Sequence, residues 1–172
     1  MATTLRGDDN FDTAIAQKAV VQTHVATASS QTSNASTITN ITGLSATITP
    51  STSSKKVKIT VRWSGEFSTI GMYESMYGIR RGSTVIGNPA AAGNRQVGMA
   101  PVAISLNANA DTTQDSAFYM YIDSPSTTSE TTYHATHFNV NAGTLYNNRT
   151  VEDSDASGRE RLTSSITLEE VD

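Results

Sequence analysis

The 172-residue chain contains no cysteine. Disulfides, thiolate metal sites and cysteine nucleophiles are therefore excluded, and the fold must be held by its core or by other chains. Charge is also scarce, since Asp, Glu, Lys and Arg together make up 16% of the residues. The formal net charge is −4 and no basic run exceeds two residues, so the clustered cations that a phosphate backbone requires are missing. No apolar run approaches the roughly 18 residues that span a bilayer. The opening stretch, Met1 to Asp12, is polar and acidic and does not read as a secretory leader. Aromatic residues reach only 6% and hydrophobic residues 37%, low for a globular domain but above the range of a disordered chain.

What fills the chain instead is small hydroxyl residues, 26 Thr and 21 Ser. Threonine is β-branched, and serine competes with helices for backbone hydrogen bonds, so the bias favours strands and turns. The pattern agrees. Val57, Ile59, Val61 and Trp63 alternate with Lys58, Thr60 and Arg62, the period of a strand with one buried face. Trp63 falls on the apolar register and is expected in the core. Val21 to Val25, Val97 to Leu106, Phe118 to Ile122, Thr131 to Val140 and Ile166 to Leu168 also read as strands. Pro101 marks an edge or a bulge. Gly82-Ser83, between Tyr73–Arg81 and Thr84–Gly87, is a two-residue hairpin signal. Ser29 to Ser36 is a polar tract, and Ser51 to Ser54 a loop. The expected fold is all-β: an antiparallel β-sandwich of about eight or nine strands, jelly-roll-like. Residues 1–19 form a short N-terminal arm and residues 20–172 the sandwich domain.

Candidate chemistry is thin. His134 and His137 are three apart, which on a strand sends them to opposite faces, so they cannot share a metal. Asp8, Asp9 and Asp12, and Asp153 with Asp155, offer carboxylates for calcium without a complete loop pattern. The simpler expectation for the second group is a solvated acidic loop pairing with Arg149, Arg159 or Arg161. No Gly-x-Ser-x-Gly elbow singles out a serine. Glu66 and Glu74 flank a glycine-containing bend and are a weak carboxylate pair. Asn34, Asn40 and Asn148 begin glycosylation sequons, and Arg6-Gly7-Asp8 is an integrin-type tripeptide expected by chance. Leu5, Phe11 and Ile15 are the apolar residues with which the arm can grip another chain. Tyr73 and Tyr77 share a face and are candidates for an interface or a ligand. Ala90, Ala91 and Ala92, followed by Gly93, form a small-residue loop suited to close packing against a partner. No cofactor site is evident, and the chain is not expected to be an enzyme.

Thr42-Gly-Leu-Ser-Ala-Thr-Ile-Thr-Pro50 leading into Lys55-Lys-Val-Lys-Ile-Thr-Val61 resembles a module of tailed-phage virion proteins, notably marine and cyanobacterial ones. So do Gly78-Ile-Arg-Arg-Gly-Ser-Thr-Val-Ile-Gly87, Ala92-Gly-Asn-Arg95, Ile122-Asp-Ser-Pro125 and Tyr146-Asn-Asn-Arg149, followed by Ser165-Ile-Thr-Leu168. The resemblance spans roughly residues 42 to 171 and implies a non-catalytic β-sandwich part of a virion, assembled in the host cytoplasm. Its module is similar to ones in capsid decoration proteins and in tail fibres. A fibre normally carries a long adaptor, and only about 19 residues precede the first strand here. The favoured expectation is therefore a capsid decoration (cement) protein on the head surface. It would be a homotrimer bound to the phage major capsid protein, with no nucleic-acid or membrane partner. The alternative is a tail-fibre or receptor-binding tip that recognises a host surface glycan.

Overall fold

The computed structural model describes residues 19–68, 74–102 and 112–172. Eleven strands run through them: β1 (Val20–Val25), β2 (Ser29–Ser33), β3 (Thr39–Ile48), β4 (Lys56–Phe67), β5 (Met76–Arg81), β6 (Thr84–Ile86), β7 (Ala100–Pro101), β8 (Asp115–Asp123), β9 (Thr131–Phe138), β10 (Gly143–Asn147) and β11 (Ser164–Val171). All pairings are antiparallel. The first sheet has the order β1-β11-β4-β10-β2, with β8 on the other side of β4. The second has the order β3-β9-β5-β6, with β7 also on β5. The two face each other across one core, as an all-β sandwich.

The alternation in β4 determines its place. Val57, Ile59, Val61 and Trp63 are buried, and Lys58, Thr60 and Arg62 face outward. Ile166 and Leu168 of β11 and Ala117 and Tyr119 of β8 extend the inner layer. The second sheet answers with Ala46, Ile48, Tyr77, Ile79, Tyr133 and Ala135. Trp63, Phe67, Tyr77 and His137 form an aromatic cluster. Trp63 and Tyr77 stack with centroids 4.6 Å apart, and His137 lies 5.1 Å from Phe67 and 5.3 Å from Tyr77. Such tilted rings add about 0.5–1.5 kcal/mol per pair beyond their burial.

Three elements depart from the sequence reading or add to it. The hydroxyl tract contains strand β2, which pairs with β10 from Ser33↔Gly143 to Ser29↔Asn147. Its partner creates this strand, because an edge position needs little side-chain burial. Residues 39–48 form one strand whose register shifts between Asn40 and Ser45, where Gly43 adopts φ +78°. Such a bulge needs the left-handed backbone that glycine tolerates. Of the expected Val97–Leu106 strand, only Ala100–Pro101 is strand among the described residues, on the edge beside β5. The hairpin at Gly82-Ser83 is as expected: Arg81 pairs with Thr84, and Gly82 takes φ +56°.

Gly65 is the tightest point. A Cβ there would lie 2.0 Å from the Tyr146 carbonyl oxygen and 2.6 Å from the Trp63 ring. Both neighbours are fixed, one by the β4–β10 ladder and one by the core. Gly65→Ala is expected to destabilise by about 3 kcal/mol, the range of overpacking. Gly158→Ala, with nothing within 4 Å, is expected to change stability by less than about 0.5 kcal/mol. The midpoints of urea unfolding measure both.

Candidate functional site

The arm residues Leu5, Phe11 and Ile15, together with Tyr73, lie outside the described residues. Tyr77 is not a surface residue. It is 1% exposed and sits opposite His137 on β9, with its ring against Trp63. Its side chain faces the core, where the hydroxyl is desolvated and its acidity suppressed. Ala90, Ala91 and Ala92 are exposed in the β6–β7 connection, accessible to another molecule. Asn148 is buried, adopts φ +60°, and donates from its amide to the carbonyls of Val25 and Thr27. That amide is committed and sealed, so the third sequon is a structural turn.

The two histidines do face opposite ways. His134 is half-buried beside Arg80, and His137 is wholly buried. The Nδ1 of His137 lies 3.1 Å from Ser33 Oγ, and its Nε2 lies 3.1 Å from Ser75 Oγ. Asn139 Nδ2 donates to the same Ser75 oxygen at 3.0 Å. A serine–histidine pair of this kind suggests a nucleophile, yet Ser33, Ser75 and His137 are all shut off from solvent. Their role here is to join β2, β9 and the segment before β5 by satisfied hydrogen bonds. Burial holds the His137 imidazole down to about 4, so it is neutral at pH 7.

Of the candidate acids, Asp8, Asp9 and Asp12 lie outside the described residues, and Glu66, Glu74 and Asp153 have partners. Glu66 is buried, and its carboxylate accepts the Val151 N–H at 2.6 Å; Glu74 accepts from Asn141 at 2.7 Å. Asp153 lies between Arg149, at 3.5 Å, and Arg161. Arg159 pairs with Glu152 at 2.5 Å. Asp153, Asp155, Arg159, Glu160 and Arg161 line an open polar cavity of about 200 Å³. Guanidinium groups beside Asp153 supply the positive charge that a cation would otherwise bring. Among the described residues no group of three metal-ligating side chains comes together.

A feature that sequence reasoning missed lies on the outer face of the first sheet. Phe118, Met120 and Ile122 of β8 stand outward, 69%, 53% and 48% exposed. Their neighbours Ala117 and Tyr119 point inward. The registers set out three rows across the face: Val20–Glu169–Lys58–Ile122, Gln22–Thr167–Thr60–Met120 and His24–Ser165–Arg62–Phe118. Its middle is polar, with Lys58 paired to Glu169 at 2.5 Å and Gln22 bonded to Thr167 at 3.0 Å. The β8 margin is a continuous apolar stripe. Either parity of Phe-Tyr-Met-Tyr-Ile is apolar enough to be the core side. The clue that decides it lies at the strand's ends. Asp115 and Asp123 share the tyrosine parity, and both are buried where partners exist. Arg81 reaches Asp123 from β5 at 2.8 Å and 3.1 Å, and Tyr133 donates to it from β9 at 2.8 Å. Tyr119 donates across the sandwich to the Gly78 carbonyl at 3.0 Å. Phenols with such partners are the better core side, which leaves the wholly apolar parity outside.

No protein-family model matches the chain, and no curated protein is significantly similar to it.

His137 gives a pH signature. Between 6.5 and about 4 the unfolded chain binds a proton at this residue that the folded chain does not. Stability is therefore full above 6.5 and falls as the pH drops through that window, by about 3 kcal/mol. The His134 shift has the same sign, from burial first and then from Arg80. Urea midpoints measured from pH 7 to pH 4 should show this fall, and His137→Asn should flatten it. An unchanged slope in the variant would assign the acid sensitivity to other groups.

Proposed function

We propose that this protein is a non-catalytic structural component of a phage virion, a decoration protein that clamps the major capsid protein of the head. The observation that carries the reading is the apolar stripe of Phe118, Met120 and Ile122 at the margin of a face whose middle is polar. Such a stripe marks a chain that works packed among other chains, its own copies included, since monomeric surfaces seldom keep contiguous apolar side chains in water. The virion-module resemblance of residues 42–171 supports the same reading. So does the strand order: leaving out β2, β7 and β10, the sheets read β1-β11-β4-β8 and β3-β9-β5-β6. Neighbouring first and last strands and chain alternation between sheets support a jelly-roll, common in capsid architecture. Each copy would contribute modest area, and many copies on one shell would sum weak contacts into strong clamping. The exposed loop at Ala90–Ala92 and the arm, residues 1–19, are the further contacts we assign to the shell.

A second reading is favoured by the polar cavity between Asp153 and Arg161. Mixed carboxylates and guanidinium groups there suit sugar hydroxyls, as in a tail tip that binds a host surface glycan.

Location separates the two. In particles carrying this chain, labelling should find many copies spread over the head. Deleting residues 1–19 should release the protein from heads and leave host adsorption intact. A few copies confined to the tail, or adsorption lost with head association retained, would overturn the decoration reading.

A further inference from the structure

Strand β8 is an edge. Among the described residues its only ladder partner is β4, and no described strand pairs with the other side of its backbone. Natural edges are usually protected by lysine, proline, a bulge or short length. Over nine residues, Asp-Ser-Ala-Phe-Tyr-Met-Tyr-Ile-Asp, β8 has none of these and carries charge only at its two inward-facing end aspartates, and its pairing with β4 runs from Val57↔Asp123 to Gly65↔Asp115 without a register shift. An unprotected edge with an apolar outer row is built to be paired.

We propose that β8 pairs antiparallel with β8 of a second copy of this chain, about a two-fold axis at Met120. The occupant follows from the strand's own symmetry. With Met120 opposite Met120 of the second copy, Phe118 faces Ile122 and Ile122 faces Phe118, so the outward row becomes one block of six apolar side chains. Tyr119 faces Tyr121, and Asp123 faces Ala117. The neighbouring register, centred on Tyr119, sets Asp115 opposite Asp123 at both ends and Ser116 opposite Ile122. Like charges directly opposite are destabilising, and a one-residue slip of centre loses the apolar match. Arg62 and Lys58 of different copies stand three strand spacings apart, about 14 Å, beyond the reach of unscreened repulsion at physiological salt. The result is a continuous sheet, β1-β11-β4-β8 followed by the same strands of the second copy in reverse.

The area sets the strength. Taking about 200 Å² as the full area of each side chain, the fractions exposed leave roughly 350 Å² on the stripe. With the strand's main chain the pair would bury about 1,000 Å² in total, the lower bound of a specific interface. The dimer is accordingly weak, with a dissociation constant on the order of 10 µM. A two-fold pair fits the symmetry of this edge better than the homotrimer that the virion-module resemblance leads one to expect. The pairing holds wherever on a virion the protein is placed, so its test is separate from the one for location.

Sedimentation equilibrium of the full chain, from about 1 µM to about 1 mM, should show the mass rising from one chain to two. Met120→Glu sets two carboxylates against each other on the axis and should weaken association by at least about 100-fold. Val20→Glu, at the opposite margin of the same face, should leave it unchanged. Because the chain lacks cysteine, Met120→Cys supplies a single thiol that should cross-link two copies on oxidation, whereas Ser116→Cys should not. Both positions 116 and 120 are exposed, so the variants keep the monomer fold, which circular dichroism checks. A single-chain mass throughout, a three-chain mass, or a dimer indifferent to Met120→Glu would each overturn the proposal.

Discussion

Everything in the first sheet depends on β4 having two good sides. Its twelve residues bond to β8 along one edge and to β11 and then β10 along the other. Its inner row, from Val57 to Trp63, meets the second sheet. A strand placed so centrally must alternate strictly, because a slip of one residue would turn Lys58 and Arg62 into the core. The same centrality explains the severity at Gly65. There the strand passes so close to Tyr146 and Trp63 that only a hydrogen fits where another residue would carry a methyl group.

The sandwich has few apolar residues for its size, and polar groups complete the seal. Tyr119 reaches the Gly78 carbonyl, Tyr133 and Arg81 converge on Asp123, Trp63 donates to Asn147 at 2.8 Å, and Ser51 caps the Glu170 carboxylate through its N–H and hydroxyl. Burial pushes the Tyr119 and Tyr133 phenols up, so they stay protonated and act as donors at any ordinary pH. Satisfied groups of this kind add about 1 kcal/mol each and cost more when one partner is removed. They also give the two sheets a single alignment, which hydroxyl-rich strands with weak patterning would not secure alone.

The sequence disclosed its fold class through one clear strand. In β4 apolar and polar residues differ sharply, so both the element and its faces are legible, including the burial of Trp63. The hairpin at Gly82-Ser83 is legible because a two-residue turn demands a specific backbone. β2 was hidden, since Ser-Ser-Gln-Thr-Ser carries no periodic signal and is ordered by β10. The sequence offers Tyr77 as a contact residue, but strand periodicity does not say which face is wet, and Tyr77 is in the core. The β8 stripe was hidden for the same reason. Its two parities are both hydrophobic, and only partners far away in sequence, Arg81, Tyr133 and Gly78, select between them. The histidine spacing, by contrast, was enough to separate His134 from His137, because opposite faces follow from strand geometry alone.

The pairing of β1 with β11, from Val20↔Glu169 to Val25↔Ser164, has a consequence for biosynthesis. Residues from one end of the domain wait for residues at the other, and Ala19 accepts from the Glu170 N–H at 2.9 Å. Nearly the whole domain must therefore be synthesised before β1 finds its neighbour, a contact of the high sequence separation that slows folding. Having the two ends side by side also means that a short peptide could splice them together. New ends opened at a surface turn such as Gly82-Ser83 would then yield a permuted chain with the same sandwich.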